Sequence, residues 1–486
     1  MDEKILEGVL AEFEKLAAIP RPSKHEEKIS NFLKDYLFGL GFEVAQDESK
    51  NIIAEIPPTC GKENAPTTIL QAHMDMVCVA EKNYSYNPLT DAIKLVRTEN
   101  FLEAEGTSLG ADDGIGVAEI LYIAKQADKF PHGKIKIIFT TDEEQGMTGA
   151  INLDAKFLQG ADFMINCDSE DWDELVVGSA GSLHIDFSRQ INFVEPEKFL
   201  TNVFSVKIFG LRGGHSGTEI CKNRANAIKA AKNFLHLVES RGEIQLAKIS
   251  AGDAPNVIPN AAEFLFVTNL EEKIIRDCGE ELTLQVKKFF GDSEPNFKVE
   301  IVPAEVPDKV FCEKDFSDLM NLLELIHSGV YAMSRDIPDL VESSANLAMI
   351  RTEENSLQIN LFPRSSVGAM LNKFIKLNST LAKVTDFEIN FSEPSPVWTY
   401  NSKSRLVKIM SEIFNRQNNF QPKIHAIHAG LECSYFLTKN PALDVVSIGT
   451  TNENIHSPKE KLHLKTIAPQ VNLILETLEK ISALSE

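Results

Sequence analysis

Apolar residues recur at helical spacing in "MDEKILEGVLAEFEKLAAI" and "SKHEEKISNFLKDYLFGLG", then switch to strand-like runs in "FEVAQDE", "NIIAEI" and "TTILQAHMDMV". A helix over "GIGVAEILYIAKQAD" and strands over "KIKIIFTT" and "FMINCD" continue the alternation. Helix and strand in turn predict an α/β sheet covered by helices, with functional residues gathered where strands end and loops begin.

From about residue 187 the pattern changes. "FSVKIFGL", a helix over "KNRANAIKAAKNFLHLVES", "EIQLAKISAG", "AAEFLFVTN", a helix over "EEKIIRDCGEELTLQVKKFF" and "NFKVEIVP" give β, α, β, β, α, β, a ferredoxin-like split-βαβ sandwich. A second, less regular copy follows, with helices over "DFSDLMNLLELIHSGVYAM" and "SVGAMLNKFIKLNSTLAKV" and strands near "ANLAMIRT", "SLQINLFP" and "DFEINFS". The proline-bearing "SEPSPVWTY" marks a return linker, after which "SRLVKIMSEIFNRQ", "LDVVSIGT" and "LKTIAPQVNLILETLEKISAL" resume the α/β style. The predicted organisation is a discontinuous α/β domain, residues 1–186 and 398–486, built on a central mixed sheet flanked by helices. An α+β domain of split-βαβ units, 187–397, is inserted in it.

With 486 residues, 43% of them hydrophobic and 25% charged, the chain is large enough for two or more cores and shows no sign of wholesale disorder. Its formal charge of −22 disfavours nucleic acid and anionic membranes as partners. The acidic amino terminus lacks the basic and continuously apolar regions of a secretory signal, and no run approaches a membrane span. Seven scattered cysteines without a CxxC pair indicate reduced thiols, and a cytoplasmic location is expected.

Candidate chemistry changes this picture most at "IIFTTDEEQGM", where a strand-like run ends in three consecutive acids. Adjacent carboxylates repel, and burying them is costly unless something positive compensates. A cation is the obvious compensator. "QAHMDMV", "GADDGIG", "NCDSED" and "NENIHSPKE" complete a set of imidazoles and carboxylates that suits zinc, manganese or cobalt. His73 and Asp75, at i and i+2 on a strand, share a face, so Asp75 is placed to orient the His73 ring. The same pair would also satisfy each other in an ordinary strand end. Asp112 and Asp113 would equally serve as a helix cap. Consecutive Glu143 and Glu144 point to different sides, so that one can grip metal while the other faces substrate, although a solvated acidic turn has the same sequence.

In this order, "HMDMV", "LGADDGIG", "DEEQGM", "CDSED", "GGHSG", "PRSSV", "HAGLEC" and "IHSP" resemble the aminoacyl-histidine dipeptidases, the Xaa-His or bacterial carnosinase-like branch of the co-catalytic zinc peptidase superfamily. The resemblance implies a di-metal catalytic domain and a lid. Two divalent ions, zinc or alternatively manganese or cobalt, would be held by His73, Asp112, Glu144, Asp168 and His456. Asp112 would bridge them, beside a cis peptide between Asp112 and Asp113. It further implies Glu143 as general base, Asp75 as orienter, and His215 as donor to the tetrahedral oxyanion. Arg364 would clamp a free α-carboxylate, Asn260 would contribute from the lid, and Glu432 would receive the substrate amine. Asp113 becomes a geometric partner of its neighbour. Lys459 departs from the acid often found after "HSP" in related sequences.

The expected reaction is hydrolysis of small peptides, preferentially Xaa-His dipeptides such as β-alanyl-histidine. The same centre would also serve an N-acyl amino acid deacylase or an aminotripeptidase, and a metal-stabilised binding protein with a vestigial site is a further alternative. Oligomeric state stays open between a monomer whose second sandwich copy takes the place of a dimer partner and a homodimer formed through the lid. His132, His184, His236, His327 and His463 are expected on the surface or in packing, with His425 and His428 unassigned.

Overall fold

Strands from both ends of the sequence build one eight-stranded mixed sheet in the computed structural model, which describes residues 2–484. Met1, Ser485 and Glu486, at the outer ends of the expected 1–186 and 398–486 segments, lie outside the described residues. The strand order is Glu43–Gln46, Ile52–Ile56, Ile135–Thr140, Thr68–His73, Phe163–Asn166, Asp444–Ser447, Glu174–Ser179 and Lys423–Ile427. Its centre is parallel: Thr68–His73 lies between Ile135–Thr140 and Phe163–Asn166, and Asp444–Ser447 extends the parallel block. These central strands are buried throughout, which explains why they read as continuous apolar runs without alternation.

The chain divides into two compact units: Met1–Gly178 with Tyr400–Ala426 and Leu431–Glu486, and Ser179–Thr399 with Ile427–Gly430. In the first, helix Ala111–Ala124 is buried on nearly every side and so lacks an amphipathic stripe. Its regular turns start at Gly114, as the "GIGVAEIL" pattern leads one to expect; Asp112 and Asp113 have non-helical φ and ψ, and the amides of Ala111 and Asp112 are taken up by a carboxylate from far along the chain, Glu460. Two features absent from the sequence reading are the strand Lys423–Ile427 and a small sheet of Leu95–Arg97, Phe101–Ala104, Asn452–Glu453 and Lys461–His463. Most of these strands have only two or three residues, too few for any periodicity to register.

The second unit carries a long antiparallel sheet ordered Lys298–Pro303, Asn202–Phe209, Ala262–Thr268, Ile244–Ala251, Val341–Thr352, Ser356–Ser365, Ile185–Gln190 and Glu388–Phe391. Its first four strands, with helices Ala227–Glu239 and Glu272–Phe290, form the first split-βαβ copy. The last four form the second, with helices Glu313–Leu325 and Gly368–Val384. The two copies join where Ser250 and Ala251 pair with Arg351 and Ile350. One strand of the second copy, Ile185–Gln190, precedes the whole first copy in sequence, so the first is inserted into the second. Helices pack on the sheet through a shared apolar core that includes Phe234, Phe266, Leu347 and Phe374.

A buried arginine and a half-buried lysine tie this unit together. Arg189, 8% exposed, bonds Asp315 and Asp318 and the carbonyls of Thr385 and Asp386. Lys229 donates to the carbonyls of Leu323, at 2.6 Å, and Ile326 at the end of helix Glu313–Leu325. Lys229→Met should lower unfolding stability by about 1.5–3 kcal/mol, since it deletes charge-assisted bonds and leaves buried carbonyls without a donor. A reduced urea midpoint at unchanged slope would be the signature.

Candidate metal centre

Parallel pairing delivers the acids and imidazoles to one edge of the sheet. His73 ends its strand opposite Thr140, and Gln71 lies opposite Asn166, so the turns that follow all three strands start from the same carboxyl edge. The turns after Thr140 and Asn166 carry Asp142–Glu144 and Asp168, and the segment beyond Asp444–Ser447 carries His456.

Asp112 sits at the middle of the cluster. Its Oδ1 is 3.2 Å from His73 Nε2 and its Oδ2 is 3.0 Å from His456 Nε2, so the two oxygens of one carboxylate face two different imidazoles. His73 Nε2 is also 3.4 Å from Asp168 Oδ1, and His456 Nε2 is 2.9 Å from Glu144. Donor atoms of His73, Asp112 and Glu144 lie within 4.8 Å of one another, as do those of His73, Asp113 and Asp168. The Asp112–Asp113 peptide is cis. Asp113 is committed differently: its Oδ2 accepts the backbone N–H of His73 at 3.1 Å.

Asp75 is fully buried and shapes the cluster from behind. Its Oδ1 lies 3.3 Å from His73 Nδ1 and accepts the Glu143 N–H at 3.1 Å, while Oδ2 accepts from Ser23 at 2.8 Å and from the Glu144 N–H at 3.3 Å. One carboxylate therefore lies beside the His73 ring and anchors the turn that bears both glutamates. Three residues that the sequence reading overlooked support this arrangement from the loop "RPSKHE". Arg21 donates to the carbonyls of Met74, Asp75 and Gly110; Ser23 bonds Asp75; Glu26 accepts the Asp142 N–H at 3.0 Å. Gly110 has φ +70, and a Cβ there would meet Met76 Sδ at 2.6 Å, so neither the turn nor the packing admits a side chain.

The electrostatics fit a divalent pair. Burial pushes Asp168 up to about 7 and raises Asp113 and Glu143 well above the ordinary carboxylate range, with neighbouring acids adding to each shift. Burial opposes charge on His456, yet Asp112 and Glu144 hold its imidazolium up to about 11. Arg21 and the two imidazoles are outnumbered by the acids around them, so the carboxyls cannot all ionise together. Cations with mixed N and O preference would relieve the repulsion, and the donor set matches zinc, manganese or cobalt chemistry.

Glu432, fully buried at the start of helix Cys433–Lys439, accepts from Gln71 Nε2 and Thr140 Oγ1, both at 2.7 Å. Asn166 extends this buried polar chain by donating to Gln71 Oε1 at 2.6 Å. Burial pushes the Glu432 carboxyl up to about 7.

The second unit holds its own group of polar side chains. His215 Nδ1 accepts the Thr218 N–H at 3.2 Å, which leaves the ring proton on Nε2 as a donor. Burial and the charge of Arg364 lower the His215 pKa and keep that ring neutral. Arg364, at the end of strand Ser356–Ser365, is 7% exposed, and burial pulls it down to about 10. Its Nε has no hydrogen-bond partner among the described residues. Beside Arg364, His428 bonds Ser344 at 2.7 Å, and burial, with Arg364 and His215, holds it down to about 3. Asn260 is exposed and packs against Gly213, two residues before His215.

Imidazoles and carboxylates converging on the carboxyl edge of an α/β sheet form a candidate metal centre of the kind metal-dependent hydrolases use. The chain belongs to Peptidase family M20/M25/M40, which it matches over residues 69–480. It is similar along its length to the cytosol non-specific dipeptidase of Escherichia coli (strain K12), with 30% identity over 97% of both chains. The crystal structure of aminoacylhistidine dipeptidase from Vibrio alginolyticus superposes with a TM-score of 0.87 at 30% identity, covering 97% of this chain and 96% of that one. Human carnosine dipeptidase 1 shares the fold, with a TM-score of 0.52 at 15% identity and full coverage of both chains. The resemblance seen in the sequence motifs and the α/β architecture with its separate antiparallel sheet both hold. Among the described residues no helix is long and apolar enough to cross a membrane.

Proposed function

We propose that this metallopeptidase hydrolyses dipeptides in the cytoplasm, with preference for an Xaa-His sequence such as β-alanyl-histidine, using two divalent cations. The observation that carries the reading is the divided carboxylate of Asp112, one oxygen toward His73 and the other toward His456. In this reading His73 and Asp168 complete one cation position, Glu144 and His456 the other, and Asp112 serves both; zinc is the first choice, with manganese or cobalt as alternatives. When bound, the cations supply Lewis acidity to the scissile carbonyl and to the attacking water. Glu143 takes the proton of that water and returns it to the departing amine. Asp75 acts through His73, which it orients, and through the backbone of the turn bearing Glu143 and Glu144.

His215 donates from Nε2 to the oxyanion, a role supported by its tautomer and its neutral ring. Arg364 binds the substrate's free carboxylate, for which a buried guanidinium with an unsatisfied Nε is suited. Asn260 assists from the same unit, and Glu432 contributes negative charge toward the substrate amine. The dipeptide class is supported by the two relatives matched along their whole length, one named for non-specific dipeptides and the other for aminoacylhistidine.

A substrate panel separates the readings. The purified protein should cleave β-alanyl-histidine and other Xaa-His dipeptides, lose activity on chelation, and regain it with zinc, manganese or cobalt. Blocking either terminus should slow hydrolysis sharply. Faster cleavage of N-acyl amino acids or tripeptides would replace the dipeptidase reading with a deacylase or aminotripeptidase.

A further inference from the structure

Four residues beyond His456, Glu460 is 3% exposed and engages four consecutive backbone amides. Its Oε2 accepts the N–H groups of Leu109 at 2.8 Å and Gly110 at 3.0 Å; its Oε1 accepts those of Ala111 at 2.8 Å and Asp112 at 3.4 Å. A helix cap needs one or two such bonds. Four around a single carboxylate make an anion-binding nest, formed here because Gly110 turns left-handed just before helix Ala111–Ala124.

What this carboxylate joins is the telling point. The turn from Asn454 to Glu460 is braced internally, since Ser457 Oγ donates to the Asn454 carbonyl at 2.7 Å and the Glu460 N–H to the Ser457 carbonyl at 3.2 Å. His456 lies inside that turn, with φ 57. Glu460 thus fastens the turn that carries His456 to the backbone that carries Asp112. From the other side Arg21 grips the Gly110 carbonyl together with those of Met74 and Asp75, next to His73. The peptide groups around Gly110 are held from both directions by opposite charges.

We propose that Glu460 is a positioning residue: by holding the amides of residues 109–112 it fixes Asp112 relative to His456 and so sets the cation position shared by Asp112, Glu144 and His456. This rests on the two-cation reading above. Glutamine at this place keeps the shape but turns an amide N–H₂ toward backbone donors, so part of the nest loses its acceptor.

The test uses the whole protein, stripped of metal and titrated with Co²⁺, followed by calorimetry and by the visible absorption of bound cobalt. The wild type should take two equivalents. Glu460→Gln should bind one of them about 10–100-fold more weakly, with an altered cobalt spectrum, and should weaken the same equivalent as His456→Ala. Glu460→Asp, which keeps the charge but withdraws it by one methylene, should fall between wild type and Glu460→Gln; if Glu460→Gln does not fold, Glu460→Asp against wild type carries the comparison. Two equivalents bound with wild-type affinity and spectrum by the folded variant would overturn the proposal. A wild type that fails to bind two equivalents would instead defeat the two-cation reading itself.

Discussion

Glu143→Gln is expected to reduce kcat by about 10²–10⁴-fold while the protein keeps its full complement of metal, the range over which a positioned general base contributes. The turn would survive the change, because Glu143 is anchored through its backbone N–H to Asp75 and not through its side chain. The carboxyl makes no side-chain hydrogen bond among the described residues, so its lone pairs are available to a proton. Burial, reinforced by Asp168, raises its proton affinity, the direction a base needs if it is also to release the proton to an amine. Glutamine matches the volume and accepts hydrogen bonds but cannot carry the proton away. The decisive pair of measurements is kcat at saturating dipeptide and metal content of the same sample. Full kcat in a metal-replete variant would move the base elsewhere; lost metal would make Glu143 a ligand.

The largest stability loss is expected from Arg189→Met, about 3–5 kcal/mol in chemical denaturation, the range for breaking a buried ion pair by removing one partner. Asp315 is fully buried, and its carboxylate receives Arg189 Nε at 2.9 Å and the Asn192 N–H at 2.6 Å. Without the guanidinium that charge keeps a single neutral donor. The loss should also be spread over the fold, since Arg189 joins strand Ile185–Gln190 to helix Glu313–Leu325 and to the carbonyls of Thr385 and Asp386 that follow helix Gly368–Val384. Replacing both partners, as in Arg189→Met with Asp315→Leu, should recover most of the stability, because the stranded charge is then gone. A double variant no more stable than Arg189→Met would show that the carbonyl bonds, and not the ion pair, carry the effect.

The part of the cluster legible in the sequence is the part encoded over short distances. The i, i+2 spacing of His73 and Asp75 put the two together, although the strand ends at His73 and Asp75 reaches its ring from the loop beyond; Asp142–Glu144 announce a charge problem by adjacency. Their order along the chain, matched to strand ends, was enough to expect a common edge. What escaped notice works at long range. Arg21, Ser23 and Glu26 sit in a loop that looks like an ordinary polar entry to a helix; nothing local shows that their partners are Asp75, Gly110 and Asp142. Glu460 is likewise one acid in a polar turn until its amides, some 350 residues earlier, are brought to it. Strand Ile185–Gln190 was missed for a related reason. "IDFSRQ" alternates weakly, and what holds it as a strand is pairing with Ser356–Ser365 and Glu388–Phe391.

The nesting of one sandwich copy inside the other also fixes a timetable for biosynthesis. A nascent polypeptide completes all four strands of the inner copy once Pro303 has emerged, and that copy can close on itself. Ile185–Gln190, translated earlier, must wait through that interval for neighbours still inside the ribosome. His456 is translated later again, after both sandwich copies are complete.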